Sequence, residues 1–254
     1  MSVRNALILS DLHLGWVVCT RSHRELLDHL PAAADDAEEI ILNGDIIDAH
    51  RGVVGPAEAE LVQRLAALCD RWRREGRRVV IVEGNHDPVE HSLGPAVWRH
   101  ELSGRHGERI LVLHGHRVTD TAPARSRYEH WGRHPLGLEN RLYARLAPLR
   151  AAYRYGPGWF VGAWGLTEDR IWRPRFAERV APLLAGDIAA LVYGHFHFGP
   201  ARIDIAGVPA WRSASWVAEG HLGTVNRMLR YRDGRWERIG LSSTKRWVAI
   251  DDGR

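Results

Sequence analysis

Five short apolar runs recur along the chain, and each ends directly at a group of polar residues. Each run has three or four residues, mostly isoleucine, valine, leucine and alanine: Ala6–Leu9, Ile40–Leu42, Val79–Val82, Ile110–Leu113 and Ala190–Tyr193. Such runs are typical of strands buried on both faces of a parallel sheet. Ligands of open α/β sheets bind outside the carboxyl ends of the strands. The pattern therefore predicts an α/β fold with its functional site at one sheet edge.

Helical patterns lie between the first strands. Ser22-x-x-Glu25 is a capping box that predicts a helix to about Leu30, where Pro31 helps to end it. A second helix is predicted from Pro56 to about Gly76, because four apolar side chains share one face: Leu61, Leu65, Leu68 and Trp72. Beyond the fifth run, the tail predicts antiparallel strands over 203–205, 208–211 and 228–231, with a turn at Asp233-Gly234.

Positive charge is concentrated in one segment. The whole chain carries a net charge of +4, whereas residues 121–180 contain 11 arginines against 5 acidic residues, together with 10 of the 21 aromatic residues. Leucines at 138, 142, 146 and 149 share one face of a predicted helix there. We expect one domain over 1–254, with a helical, lid-like insert over about 121–180. A solvated face and recognition of an anionic substrate are both open as its role.

Composition excludes several classes of protein. The two cysteines, Cys19 and Cys69, are too few for a disulfide framework, and neither forms a C-x-x-C pair. No apolar run approaches the roughly 18 residues that span a bilayer. The first residues lack the pattern of a signal peptide, so we expect a cytoplasmic location.

The polar groups after the strands form specific motifs. They are Asp11-x-His13, Gly44-Asp45-x-x-Asp48, Gly84-Asn85-His86-Asp87, His114 and Gly194-His195-x-His197. A lone D-x-H is uninformative in this composition, but about 0.002 chance occurrences of G-N-H-D are expected. The motifs supply carboxylate, imidazole and amide donors without sulfur, which suits Mn, Fe or Zn. Seven ligands are too many for one ion, so we expect two ions about 3.5–4 Å apart, sharing a carboxylate and acting on a phosphate ester.

The order and spelling of these motifs resemble the calcineurin-like metallophosphoesterases. The resemblance implies an α/β/β/α sandwich of four layers and a hydrolase that uses metal-bound hydroxide to attack phosphorus. It implies that one metal is held by Asp11, His13, Asp45 and His197. It implies that the second metal is held by Asp45, Asn85, His114 and His195, with Mn favoured and Fe or Zn as alternatives. By the same resemblance, His86 is a catalytic residue and Asp48 orients its ring.

Within that family, the layout is most similar to the branch that contains UDP-2,3-diacylglucosamine pyrophosphatase. This resemblance implies a small anionic phosphoester as substrate, with a lipid-linked nucleotide as the candidate and peripheral contact with the inner face of the membrane as an option. A phosphodiester or pyrophosphate bond is the expected target. A nuclease, which would bind nucleic acid, and a phosphomonoesterase are the alternatives, and a non-catalytic scaffold is disfavoured because every ligand position is filled.

The remaining polar residues are expected to have structural roles. Asp87 is expected to accept hydrogen bonds from loop backbone amides, and Asn43 is also assigned a structural role. His114 is preferred to His116 as a ligand because it directly follows the strand, which leaves His116 as a substrate contact. Nine histidines outside the motifs are expected at the surface or at caps: His23, His29, His50, His91, His100, His106, His130, His134 and His221.

Overall fold

The computed structural model describes residues 2–49, 55–88, 92–119, 141–142, 144–146, 168–197, 199–213, 215–216, 227–242 and 244–250. In these ranges the chain forms two β-sheets that face each other. Helices cover the outer face of each sheet. The α/β/β/α sandwich implied by the sequence motifs is confirmed.

Twelve strands occur in the described ranges. In chain order, β1 to β12 are Asn5–Leu9, Glu39–Asn43, Arg78–Val82, Ala96–Val97, Arg99–Ser103, Arg109–Leu113, Ile188–Tyr193, Arg202–Ile205, Val208–Arg212, Arg227–Arg232, Arg235–Leu241 and Trp247–Ala249. The first sheet has the order β12-β11-β10-β1-β2-β3-β4 and the second has the order β5-β6-β7-β9-β8. Strands β1 to β4 are parallel to one another, as are β6, β7 and β9.

The helices in the same ranges are short or of medium length. In chain order, α1 to α4 are Thr20–Ala33, Pro56–Arg74, His116–Thr119 and Arg173–Val180. Two 3₁₀ turns cover Val17–Cys19 and Ala181–Leu184, and a π-helical turn covers Glu168–Trp172. No helix in the described part of the chain is long and apolar enough to cross a membrane.

Three apolar clusters separate the layers. The first packs α1 and α2 against the outer face of the first sheet, with Leu65 and Trp72 fully buried. The second lies between the sheets and includes Ile41 and Val192. The third packs Phe176 of α4 against the outer face of the second sheet. Side chains of successive strand residues alternate between faces, so each central strand contributes to two clusters.

The apolar runs were correctly predicted as strands, but they divide between two sheets. The first three runs lie in the first sheet as β1, β2 and β3, whereas Ile110–Leu113 and Ala190–Tyr193 lie in β6 and β7 of the second. The turn at Asp233-Gly234 joins β10 to β11, with φ values of 49° and 84° at its two residues. Two left-handed residues match the right-handed twist of the flanking strands.

The predicted start of the first helix is wrong. The 3₁₀ turn before α1 leads directly into the helix, which begins at Thr20, so Ser22 lies inside the helix and caps nothing. The Thr20 hydroxyl donates to the carbonyl oxygen of Val17 at 2.9 Å. Pro31 lies within the last turn, where its missing N–H costs one helical hydrogen bond. The second helix, α2, has the predicted start at Pro56, and three of the four residues of its predicted face are buried, whereas Leu68 is only partly buried.

Four of the nine histidines expected at the surface or at caps are described, and two of these four are buried. The other five lie outside the described residues: His50, His91, His130, His134 and His221. His23 of α1 is fully buried, and burial lowers its pKa to about 3. His100 of β5 is 8% exposed, and its Nε2 lies 2.6 Å from Oε1 of the buried Glu39. The neutral imidazole of His23 is compatible with an apolar environment, and the imidazole of His100 is buried in contact with a carboxylate. The absence of a motif therefore does not place a histidine at the surface.

Most of the insert predicted over 121–180 lies outside the described residues. Its described end, 168–180, is helical, as expected. Of the predicted leucine stripe, Leu142 and Leu146 are described; both are exposed, and the Leu146 N–H donates to the Leu142 carbonyl oxygen at 3.0 Å.

Candidate metal centre

The predicted site residues all lie in described segments, at the carboxyl ends of five strands. Asp11 and His13 follow β1, Asp45 and Asp48 follow β2, Asn85 and His86 follow β3, His114 follows β6, and His195 and His197 follow β7. The parallel strands of the two facing sheets end at the same rim of the sandwich. The fold therefore brings together side chains that are spread along the sequence from residue 11 to residue 197.

Three groups of three side chains in the described residues have the spacing of metal ligands. Ligand atoms of Asp11, His13 and His197 lie within 4.8 Å of one another, and so do those of Asp45, His114 and His195. These two groups correspond to the two predicted metal sites. The third group consists of His13, Asp48 and His86, and it joins a predicted ligand to the two residues that were expected to act in catalysis.

Asp45 belongs to the second group and also faces the first. Its Oδ2 is 3.2 Å from Nε2 of His114, in the second group, and 3.8 Å from Nε2 of His13, in the first. One carboxylate oxygen thus faces an imidazole from each group, which is the position of a bridging ligand.

The backbone at the site has an uncommon conformation. Four non-glycine residues have left-handed φ values: Asp11 at 53°, His13 at 50°, Asp45 at 53° and His195 at 67°. Such residues are uncommon, and they persist where the surrounding structure holds them. Two backbone hydrogen bonds do so here, from the Asp11 N–H to Gly44 at 3.0 Å and from the His13 N–H to Asp45 at 2.8 Å.

Glycines of the motifs allow the strand-end loops to approach one another closely. A Cβ at Gly84 would collide with the backbone nitrogen and the carboxylate of Asp45, and a Cβ at Gly194 would collide with the Ser10 hydroxyl. These glycines belong to the G-N-H-D and G-H-x-H motifs because any side chain there would displace a neighbouring loop.

Asp87 has the structural role that was predicted for it. Its carboxylate accepts four backbone N–H groups: Oδ2 from Asp45 and Gly84, both at 2.8 Å, and Oδ1 from Ile46 and Ile47, both at 2.9 Å. One carboxylate has about four lone-pair positions, which is enough to accept these four N–H groups at once. Asp87 therefore fixes the backbone on both sides of the left-handed Asp45.

Asn43 also has a structural role, because it connects the two sheets. Its side-chain amide donates to the carbonyl oxygen of Leu113 at 3.2 Å and to the Ser213 hydroxyl at 3.1 Å. Its own carbonyl oxygen lies 2.9 Å from Nδ1 of His114. A carbonyl oxygen only accepts, so His114 carries its proton on Nδ1 and presents Nε2 to Asp45.

Asp48 contacts two imidazoles of the site. Oδ1 lies 3.3 Å from Nδ1 of His86, and Oδ2 lies 3.2 Å from Nδ1 of His13. The rings of His13 and His86 are 4.7 Å apart and nearly perpendicular. Asp48 is fully buried, whereas the His86 side chain is 20% exposed, so His86 reaches the mouth of the site. The sequence motifs implied the contact with His86 but not the contact with His13.

The electrostatics of the site favour a cation. Burial acts to raise the pKa of Asp45, but the positive charges of His114 and His86 outweigh it and hold that pKa well below its usual range. The pKa of the buried Asp11 is lowered in the same way, chiefly by His197 and His114. Burial alone would lower the pKa of His114, yet the carboxylate of Asp45 raises it to about 9. The two carboxylates therefore require positive charge nearby, which a metal ion would supply in place of protons.

The buried polar atoms fit metal ligation. Among the buried side-chain polar atoms of the described residues that lack a hydrogen bond of good geometry, four belong to the predicted ligand set: Asp11 Oδ1, His13 Nε2, Asn85 Oδ1 and His114 Nε2. Buried polar atoms without a hydrogen-bond partner are rare in proteins, and many of them are satisfied by a bound ion or water instead. Two of the four face another side chain of the set, since Asp11 Oδ1 lies 3.3 Å from His197 Nε2 and His114 Nε2 lies 3.2 Å from Asp45 Oδ2. The oxygen and nitrogen donors of this set suit Mn, Fe or Zn.

Two polar residues near the site were not found from the sequence. The Thr119 hydroxyl lies 3.3 Å from Nε2 of His195, and Arg212 donates to the loop that carries His197. A lone threonine next to a motif carries no sequence signal, whereas the position of an arginine at the end of a buried strand was the available hint for Arg212. His116, which the sequence led us to expect as a substrate contact, is buried; its ring is 5.5 Å from that of His114, and burial lowers its pKa to about 2.

These features define a class of protein: an α/β/β/α sandwich with carboxylate, imidazole and amide donors gathered at the strand ends, in an arrangement that suits metal ions. Residues 5–199 match the family model described as calcineurin-like phosphoesterase. The chain belongs to the calcineurin-like phosphoesterase family and is a metal-dependent phosphoester hydrolase. A comparison with curated proteins finds no match.

Several solved structures are similar to this one over almost the whole chain. Yfce, a phosphoesterase from E. coli, is 17% identical, with 97% of this chain and 100% of that chain covered and a TM-score of 0.49. A dimetal phosphatase from Danio rerio is 12% identical, with 95% and 100% covered and a TM-score of 0.44. Pseudomonas putida nuclease MPE is 17% identical, with 91% and 85% covered and a TM-score of 0.37.

Proposed function

We propose that the chain hydrolyses a phosphodiester or pyrophosphate bond at two divalent metal ions, with Mn favoured over Fe and Zn. The first ion is assigned to Asp11, His13, Asp45 and His197, and the second to Asp45, Asn85, His114 and His195. The observation that carries the proposal is the position of Asp45 Oδ2, which is 3.8 Å from His13 and 3.2 Å from His114. When bound, the metal pair supplies an activated water nucleophile and positive charge for the phosphoryl oxygens.

His86 is assigned the proton transfer to the leaving group. Asp48 orients the ring of His86 through a contact of 3.3 Å with Nδ1, and we assign the proton transfer to Nε2. An imidazolium there stabilises the charge that develops on the phosphoryl and ester oxygens. It then gives its proton to the leaving oxygen. Asp48 acts as a positioning residue, because it contacts the ring and not the substrate.

The proposal also covers the substrate and its leaving group. A lipid-linked nucleotide diphosphate is the candidate substrate, because the sequence of the insert combines arginines with aromatic and leucine side chains. A cytoplasmic location with contact to a membrane surface belongs to the same proposal. Co-sedimentation with vesicles of anionic phospholipid tests that contact.

A substrate panel tests the activity. Protein loaded with Mn is assayed on bis-p-nitrophenyl phosphate, p-nitrophenyl phosphate, a UDP-linked acylated sugar and a short single-stranded DNA, with Asp45→Ala as the inactive control. We expect turnover of the diester and the UDP compound, and loss of both in the variant. Activity on the monoester alone would contradict the assignment to diesters and pyrophosphates. Cleavage of DNA in preference to the UDP compound would favour the nuclease alternative.

A further inference from the structure

Arg212, the last residue of β9, has a fully buried side chain at the rim of the second sheet. In the parallel pairing of β7 and β9 it lies beside Tyr193, the last residue of β7. The chain that leaves β7 carries both His195 and His197. Arg212 is therefore at the base of the loop that presents two of the predicted ligands.

The Arg212 guanidinium donates to the backbone of that loop. Nη1 donates to the carbonyl oxygens of Phe196 at 3.2 Å and His197 at 2.7 Å, and Nη2 donates to Gly199 at 2.8 Å. Nε lies 3.4 Å from the carbonyl oxygen of Pro200. The shortest of these hydrogen bonds is made to the backbone of His197. The His197 side chain belongs to the first ligand group, where its Nε2 lies 3.3 Å from Asp11 Oδ1.

This loop needs such support because its described residues have no regular secondary structure. The carbonyl groups of Phe196, His197 and Gly199 lie outside the strands, and a planar guanidinium with five N–H donors can bind several carbonyl groups at once. Lysine has a single ammonium group and cannot reproduce this fork. Burying a guanidinium costs several kcal/mol unless hydrogen bonds compensate, so a fully buried arginine at this point has a specific function in holding the loop.

We propose that Arg212 is a positioning residue for the first metal site, because it fixes the backbone of His197 and thereby the direction of its imidazole. The inference rests on the proposed function, since it assumes that His197 is a metal ligand. Arg212 and Asp87 have comparable roles at two different loops. The buried Arg212 cation donates to carbonyl groups of the loop after β7, and the Asp87 anion accepts from N–H groups of the loop after β2.

The test compares Arg212→Met and Arg212→Lys with wild type and with Arg230→Met. Arg230 is a matched control because it is half-buried on β10 and donates to a backbone carbonyl, that of Ala33, at 2.9 Å. Mn binding is measured by equilibrium titration and by electron paramagnetic resonance, which separates a coupled Mn pair from a single Mn ion. Thermal unfolding of the metal-free proteins measures any general loss of stability.

For Arg212→Met we expect the affinity of one of the two Mn sites, which we assign as the first, to fall about 10- to 100-fold, the range found when a residue that orients a metal ligand is removed. Its spectrum should be that of a single Mn ion where wild type shows a pair. Arg212→Lys should show a smaller loss in the same direction. Arg230→Met should keep the wild-type affinity whatever its melting temperature. A role in stability alone would lower the melting temperature without this change in Mn binding.

Unchanged Mn affinity in both Arg212 variants would overturn the positioning role while leaving the proposed function intact. If Arg212→Met does not fold, wild-type affinity in Arg212→Lys has the same consequence. A wild-type protein that binds no Mn pair would overturn the proposed function, and the role of Arg212 with it.

Discussion

The carboxylate of Asp87 offers a sharp test of how the site is supported. In Asp87→Asn the side chain keeps its shape, but one of its two oxygens becomes an NH₂ group. The remaining oxygen can accept either the pair of N–H groups now on Oδ2, from Asp45 and Gly84, or the pair now on Oδ1, from Ile46 and Ile47. The other pair then faces an NH₂ donor. The substitution thus removes two hydrogen bonds in either orientation.

The expected cost follows from the number and kind of bonds lost. A hydrogen bond to a charged group contributes about 1.5–3 kcal/mol. Because Asp87 is only partly buried and water can replace part of the loss, we expect Asp87→Asn to lower the free energy of unfolding by about 2–4 kcal/mol. Since the lost donors flank or include Asp45, Mn affinity should fall in the same variant.

Urea denaturation of the metal-free protein and Mn titration measure the two effects. Asp70→Asn is the matched control, because Asp70 is a largely exposed residue of α2 whose ion pair with Arg73 is worth at most about 1 kcal/mol. If Asp87→Asn were no less stable than Asp70→Asn and bound Mn with wild-type affinity, the reasoning about Asp87 would be refuted.

Two further predictions concern the catalytic residues and acid stability. Asp45→Ala should lose bound metal and activity together, whereas His86→Ala should keep its metal and lose at least about 100-fold in rate. Elemental analysis measures the bound metal, and kinetics measures the rate. Equal metal loss in both variants would show that His86 is misassigned. His23 has its pKa lowered by burial from 6.5 to about 3, so the unfolded chain binds its proton first as pH falls. The stability that this neutral imidazole contributes is complete above pH 6.5 and declines below it by up to about 1.4 kcal/mol per pH unit. Metal-free His23→Leu should therefore lose less stability than wild type between pH 6.5 and 4.5, and parallel curves would contradict this.

The strands and the position of the site were predictable because they follow from local patterns. Short β-rich runs ending at polar residues, such as Ala6–Leu9 before Asp11, indicate both a buried strand and the sheet edge where ligands bind. The division of the strands between two sheets was available only through the family resemblance. Periodicity within one strand does not determine which other strand it pairs with.

Features that depend on long-range packing escaped the sequence patterns. The left-handed backbone of Asp11 and Asp45 is held by contacts with other loops, so nothing local marks it. The Arg212 bonds join residues that are 12 to 16 positions apart in sequence across two parallel strands. The error at Ser22 has the opposite origin, because a local capping pattern was overridden by the turn that precedes α1.

The most direct test of the account is the anomalous diffraction of Mn-loaded crystals. We expect two Mn peaks about 3.5–4 Å apart at the rim of the sandwich, with the Asp45 carboxylate between them and Asn85 Oδ1 directed at the second ion. A single peak, or Mn bound elsewhere while these side chains turn away from one another, would contradict the assignment of a shared two-metal site.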